Sequence, residues 1–191
     1  MIQYKIAVSG SAIDNCSPGA FKKAYEVGQQ IAKHKCVLIT GATIGVPQWA
    51  TRGAKAAHGV SIGLSPAVSH AAHVKSYHLP TKYMDLIIYT GFDYTGRNML
   101  MTRSSDAVIT VCGRIGTLNE FTTAFEDKRV IGVLTGTGGT EILIKEILKA
   151  AERGQKRIVF DPDPKVLVEK VLKLLKKFGK HERSAKFEEV S

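Results

Sequence analysis

The chain has 191 residues and is 44% hydrophobic, enough for one globular domain with a full core. No apolar run approaches the roughly 20 residues of a membrane-spanning helix, and the first residues enter a predicted strand without a signal-peptide layout. We therefore expect a cytoplasmic protein. The three cysteines, Cys16, Cys36 and Cys112, are odd in number and widely spaced, which suggests reduced thiols and matches no zinc-ligand pattern.

The net charge of +10 is concentrated near the C-terminus, where residues 165–186 hold eight Lys or Arg and two Glu. Five lysines there occupy the outer face of a predicted helix: Lys165, Lys170, Lys173, Lys176 and Lys177. Its inner face is apolar: Leu167, Val171, Leu174, Leu175 and Phe178. This pattern favours a solvated helix face. Because no aromatic residues alternate with the lysines, we do not expect a nucleic-acid partner.

Short apolar runs and longer amphipathic stretches alternate along the chain. They predict seven strands, at residues 4–9, 36–40, 60–64, 85–89, 106–111, 129–134 and 157–160. The predicted helices begin at 17–19 (ending near 33), at about Pro47 (ending near 59), at about 95, at Gly116 and Thr117, and at 141 (ending at 152). Asp163 and Pro164 cap a last helix.

This alternation predicts an α/β fold: a doubly wound, mainly parallel, Rossmann-like sheet with helices on both faces. We expect a single domain at residues 1–178, followed by a polar, frayed tail at 179–191. Residues 65–84 show no period and predict a long loop. It holds His70, His73 and His78, but no nearby carboxylate or cysteine completes a metal site, so a lid over a ligand is the preferred interpretation.

Small residues follow several predicted strands, which places them together at the carboxyl edge of the sheet, where open α/β sheets bind ligands. They are Gly10, Ser11, Gly41, Gly91, Gly113, Gly116 and residues 136–139. A glycine turn that opens a helix exposes N–H groups suited to phosphate. Neither a P-loop nor GxGxxG is present, which argues against a standard dinucleotide site. Glu120 and Arg97 can reach the same crevice; the alternative is a structural ion pair.

The central stretch resembles a known family. Residues 112–120, CGRIGTLNE, are similar to the PGGxGTxxE signature of the LONELY GUY (LOG) phosphoribohydrolases, once mislabelled lysine decarboxylases. Arg97, Met101 and residues 105–107 match the upstream signature without a gap, and residues 8–11 and 41–45 match more weakly. The chain resembles still more closely the molybdenum cofactor carrier-like Rossmann proteins. The likeness covers roughly residues 5–148.

The resemblance implies a site and two functions. Its catalytic residues would be Arg97 and Glu120, and its phosphate- or nucleotide-binding residues would be Gly10, Ser11, Gly41, Gly45, Gly113, Arg114, Ile115, Gly116 and Thr117. One implied function is hydrolysis of the N-glycosidic bond of a nucleoside 5′-monophosphate, without a required cofactor. The alternative is a non-catalytic carrier with molybdenum cofactor or a nucleotide as cargo.

Three departures from the LOG signature bear on the reaction more than on binding: Cys112 replaces Pro, Arg114 replaces Gly, and Asn98 replaces Lys. Arg114 adds a positive charge beside the expected phosphate turn, and Asn98 fits the carrier-like proteins better. The resemblance also implies a homodimer or larger homo-oligomer. Nothing in the sequence marks a pyridoxal phosphate site, so lysine decarboxylation is not expected.

Overall fold

Seven parallel strands form a single sheet in the computed structural model, which describes residues 4–13 and 16–183. The strands are β1 (Lys5–Gly10), β2 (Val37–Thr40), β3 (Ser61–Ser65), β4 (Leu86–Tyr89), β5 (Ala107–Val111), β6 (Val130–Leu134) and β7 (Ile158–Asp161). Their order is β4-β3-β2-β1-β5-β6-β7. Strands β2 to β4 therefore extend the sheet on one side of β1, and β5 to β7 extend it on the other side. The strand order reverses between β1 and β5, which pair in the centre of the sheet.

Helices cover both faces of the sheet. They are α1 (Ala20–Lys33), α2 (Val46–Ala56), α3 (Asp93–Ser104), α4 (Ile115–Glu126), α5 (Glu141–Ala151) and α6 (Pro164–Arg183), with a 3₁₀ turn at Gln155–Arg157. Ile6 and Val8 of β1 pack with α1, α2 and α6, whereas Ala7 between them packs with α3, α4 and α5. This alternation along one strand confirms the predicted doubly wound fold.

The last helix shows the predicted solvated face. Leu167, Val171 and Leu175 are buried against the sheet, while the five lysines from 165 to 177 are exposed. The Val166 N–H donates to Asp163 Oδ1 at 2.9 Å, as expected of an N-cap. α6 continues to Arg183, into the stretch expected to be a tail, and residues 184–191 lie outside the described residues.

The loop between β3 and β4 is anchored by a buried histidine. A π-helix, Ala72–Ser76, places His73 in the interior, with Nδ1 2.8 Å from Ser65 Oγ and Nε2 3.0 Å from the Pro80 carbonyl oxygen. Both ring nitrogens are therefore engaged by the protein. None of residues 65–84 lines the cavity described below, although the ring of Tyr77 packs against Tyr94, which does. A lid over a ligand stays a prediction.

Two cysteines differ from the expectation of reduced thiols. Cys16 and Cys112 form a disulfide, although 96 residues separate them in sequence. Linear spacing did not reveal the pair, because it depends on β1 lying beside β5, which brings the segments after both strands together. Cys36 is a buried free thiol, and burial raises its pKa to about 11. Among the described helices, none is both long and apolar enough to cross a membrane.

Candidate functional site

A cavity of about 310 Å³ opens at the carboxyl edge of the sheet. Residues from the ends of β1 and β2, from α3 and from the start of α4 line it. It lies where the strand order reverses between β1 and β5, the usual ligand position in an open α/β sheet.

The N-terminus of α4 forms one wall of this cavity. Arg114 is the N-cap residue, and no side chain caps the helix. In the first hydrogen bond of the helix, the Leu118 N–H donates to the Arg114 carbonyl oxygen at 2.9 Å. The amides of Ile115, Gly116 and Thr117 thus precede the first intrahelical bond. A Cβ on Gly116 would meet no protein atom within 4 Å, so this turn faces open space. Such a helix end attracts anions.

Arg97 supplies a buried cation. It projects from α3 with only 4% of its surface exposed, and its Nη1 has no hydrogen-bond partner among the described residues. A Cβ on Gly41 would lie 1.5 Å from this nitrogen, so a larger residue there would displace the guanidinium. Burial lowers the pKa of Arg97, and the charge of Glu120 opposes that shift. A ligand that accepts a hydrogen bond would satisfy the free nitrogen.

Glu120 supplies a buried acid beside this cation. It lies in the second turn of α4 and is 6% exposed. Ser9 Oγ donates to Glu120 Oε2. The Asn98 amide satisfies its neighbours when its nitrogen donates to Glu120 Oε1 at 3.0 Å and to the Tyr94 carbonyl oxygen at 2.9 Å. Burial raises the pKa of Glu120, against the charge of Arg97 and the hydrogen bond from Ser9.

The structure brings together most of the residues expected at the site. Arg97, Glu120 and seven others line the cavity: Gly10, Ser11, Gly41, Arg114, Ile115, Gly116 and Thr117. Gly45 and Gly113 do not line it; both have positive φ, 73° and 109°, and serve as backbone turns. A Cβ on Gly45 would lie 2.3 Å from the Ser11 carbonyl oxygen, and one on Gly113 would lie 2.4 Å from Thr117 Oγ1. Their part in ligand binding stays a prediction.

Several further lining residues were not assigned to the site from the sequence, among them Ser9, Tyr94 and Ile13. Ser9 donates a hydrogen bond to Glu120. Its position near the end of β1, directly before Gly10, could have indicated that it belongs to the site. Tyr94 precedes Arg97 by three residues and Asn98 by four, a spacing that puts all three on one face of α3. Ile13 carried no signal, since its place follows from the path of the chain after β1.

The fold and this site define a Rossmann-like protein whose sheet edge presents a free helix N-terminus, a buried cation and a buried acid. Residues 3–168 match the SLOG cluster4 family, and the chain belongs to that family. The resemblance seen in the sequence is thereby confirmed.

Several known proteins resemble this chain. A protein of Archaeoglobus fulgidus, itself uncharacterised, is 33% identical over 127 residues, 66% of this chain and 77% of its own length. The molybdenum cofactor binding protein of the phototrophic bacterium Rippkaea orientalis has a similar structure, with a TM-score of 0.77, 28% identity and coverage of 92% of this chain and 99% of its own. The Moco carrier protein of Chlamydomonas reinhardtii has a TM-score of 0.76, 25% identity and the same coverage.

Proposed function

We propose that the protein binds a nucleoside 5′-monophosphate-like ligand in this cavity and hydrolyses its base–ribose bond. One observation carries the proposal: the unpartnered, buried Nη1 of Arg97 lies beside the buried Glu120, in a cavity that the free N-terminus of α4 also lines. A buried charge and a buried polar nitrogen without partners are costly for folding. The presence of these groups in a cleft therefore favours a ligand-binding role.

The ligand's phosphate fits the N-terminus of α4. Three backbone amides and the helix dipole favour an anion there. The exposed Arg114 side chain adds a positive charge, and among the described residues it has no hydrogen-bond or ion-pair partner. Beside the polar groups, Ile13 and Ile115 present exposed apolar side chains at the cavity, and Ile115 is 76% exposed. A planar base or pterin ring would cover them.

The chemistry of base release uses the same two buried residues. Breaking the bond between the ribose anomeric carbon and the base nitrogen places positive charge on the sugar, which the Glu120 carboxylate stabilises. Water then adds its hydroxyl to that carbon, and its proton reaches the departing base. Arg97 stabilises the negative charge of the base or phosphate. Ser9 and Asn98 hold the carboxylate in place.

A second candidate function is carriage of the molybdenum cofactor without turnover. The structural neighbours from R. orientalis and C. reinhardtii, which are named for this cofactor and are covered almost completely by this chain, favour it. The cofactor's phosphate would occupy the same helix N-terminus. Asn98 and Arg114, which depart from the LOG signature, also favour a carrier. No further cofactor is needed under either proposal.

A base-release assay separates these two functions. Purified protein is incubated with a panel of nucleoside 5′-monophosphates, and free base is followed by chromatography. We expect release from at least one substrate, reduced by a factor of about 10² or more in Glu120→Gln. Glu126→Gln is the matched control, because Glu126 lies on the same helix but is exposed and pairs with Arg153 at 2.6 Å.

Two results of this assay would contradict the proposal. Absence of base release from every substrate, with a pterin or nucleotide recovered from denatured protein, would reject the hydrolase and support the carrier. Release that is unchanged in Glu120→Gln would contradict the assigned role of this residue.

A further inference from the structure

The disulfide between Cys16 and Cys112 joins two segments that form the cavity. Cys16 belongs to the connection between β1 and α1, whose earlier residues Ser11 and Ile13 line the cavity. Cys112 directly follows β5 and precedes the turn that presents the amides of α4. The Cα atoms of the two cysteines are 5.7 Å apart. The bond therefore ties one wall of the cavity to the other.

The backbone at Cys112 is also held by hydrogen bonds with threonine side chains of the connection between β6 and α5. The Cys112 N–H donates to Thr137 Oγ1 at 2.8 Å, and Thr140 Oγ1 donates to the Cys112 carbonyl oxygen at 2.9 Å. The Ser17 N–H, next to Cys16, donates to the Thr137 carbonyl oxygen at 3.0 Å. Three connections thus meet at Cys112, and the disulfide covalently links two of them.

This turn has an unfavourable backbone conformation. Cys112 has φ 55°, in the left-handed region that side chains with a Cβ rarely adopt, and Gly113 has φ 109°. Such a conformation persists only when surrounding contacts hold it. Loss of the disulfide would remove one of those contacts directly at the left-handed residue.

We infer that Cys16 and Cys112 form a thiol–disulfide site whose reduction by a dithiol loosens the turn and weakens anion binding at α4. This inference rests on the proposed ligand site. In the oxidised protein the N-terminus of α4 is fixed for the ligand. In the reduced protein only part of the population keeps that arrangement, and the apparent affinity falls by the same fraction.

The reduction is a thiol–disulfide exchange in two steps. A thiolate of the dithiol attacks the sulfur of Cys16, which is half-buried, whereas Cys112 is only 3% exposed. The bond between the two cysteine sulfurs breaks, and Cys112 leaves as a thiolate near the positive end of α4. The second thiol then displaces Cys16, so the dithiol gives two electrons and two protons and becomes a disulfide.

Cys36 provides a matched control for this chemistry. It is buried in the core near α1, and its raised pKa keeps it a protonated thiol that reacts poorly. Cys36→Ala removes a thiol without touching the disulfide. Cys16→Ser removes the disulfide while leaving the residues of the α4 turn unchanged.

The test compares AMP binding by calorimetry in oxidised protein and in protein treated with dithiothreitol. We expect the dissociation constant to rise by about tenfold on reduction, which corresponds to a competent fraction of one tenth. Cys16→Ser should bind like the reduced protein under both conditions, and Cys36→Ala should respond like the wild type. Equal affinities in the two states of the wild type would overturn the inference.

Amide hydrogen exchange gives a readout that does not depend on the ligand. Reduction should speed exchange in a peptide that covers residues 113–117 and leave residues 46–56 of α2 unchanged, which shows that the fold is intact. Unchanged exchange at 113–117 would also overturn the inference. If neither state binds AMP or any nucleotide of the panel, the proposed ligand is wrong, and exchange still decides whether the disulfide fixes the turn.

Discussion

The protonation of Glu120 couples the site to the stability of the whole chain. Burial raises its folded pKa above the ordinary value of 4.5. Between these two pKa values the folded state binds more protons than the unfolded state, so the contribution of Glu120 to stability is full at low pH and is lost as pH rises through the folded pKa. Each unit of difference is worth about 1.4 kcal/mol.

Glu120→Gln does not titrate, so we expect its stability relative to the wild type to increase as pH rises through that window. At the acidic end the two proteins should be nearly equal, since a protonated carboxyl resembles an amide. Urea unfolding of both proteins at a series of pH values that begins about one unit below the ordinary value of 4.5 and continues past neutrality measures the difference. A difference that stays flat across the series would show that Glu120 is ionised in the folded protein without a penalty.

At the scale of helices, glycines have opposite roles in different places. α1 and α2 meet through Gly28 and Gly53: a Cβ on Gly28 would lie 1.9 Å from the Ala50 carbonyl oxygen, and one on Gly53 would lie 1.9 Å from that of Tyr25. Each carbonyl oxygen belongs to a helix backbone, so it cannot move unless its helix moves. Gly116, in the first turn of α4, has no such neighbour.

Gly53→Ala and Gly116→Ala therefore form a matched pair of helix substitutions. We expect Gly53→Ala to lower the free energy of unfolding by about 1–3 kcal/mol through overpacking. Gly116→Ala should raise it by up to about 1 kcal/mol, because alanine is the better helix former. The added methyl should nevertheless weaken AMP binding by about tenfold or more, since it stands where the phosphate approaches the amides. Denaturation curves and calorimetry measure both effects, and AMP binding unaffected by Gly116→Ala would contradict the phosphate position.

Local pattern was sufficient to predict the elements but not the contacts between distant ones. Parallel strands buried on both faces appear as short β-branched runs, and the partly exposed edge strands β4 and β7 show similar apolar runs, so all seven strands were predicted. Arg97 and Glu120 followed from a spacing matched to a known signature. The hydrogen bond from Ser9 to Glu120 and the Cys16–Cys112 disulfide span 111 and 96 residues. Both depend on β1 pairing with β5, and no local signal encodes that pairing.

For the whole molecule, the edge of the sheet at β4 is incompletely covered. Leu86 and Ile88 are exposed, and they face the same side as α3, because Ile88 pairs in register with Leu64 of the core beneath α3. Phe92 and Met99 add exposed apolar surface at the start and middle of α3. Exposed apolar side chains of this kind are typical of protein–protein contacts. We propose that the expected homodimer or larger homo-oligomer forms through these side chains, beside the cavity that Tyr94 of α3 lines.

A charge on the exposed side of α3 tests the proposed assembly. Met99 is 42% exposed and projects from α3, so Met99→Glu should leave the fold intact. Desolvating a carboxylate in an interface is costly, and we expect the subunit dissociation constant to rise by roughly thirtyfold or more, as at a central contact. Sedimentation velocity at micromolar protein should show an oligomer for the wild type and a monomer for Met99→Glu. Val166→Glu, on α6 at the opposite face of the sheet, should keep the wild-type state. A monomeric wild type would reject the assembly, and an oligomer that persists in Met99→Glu but not in Val166→Glu would move the interface to α6.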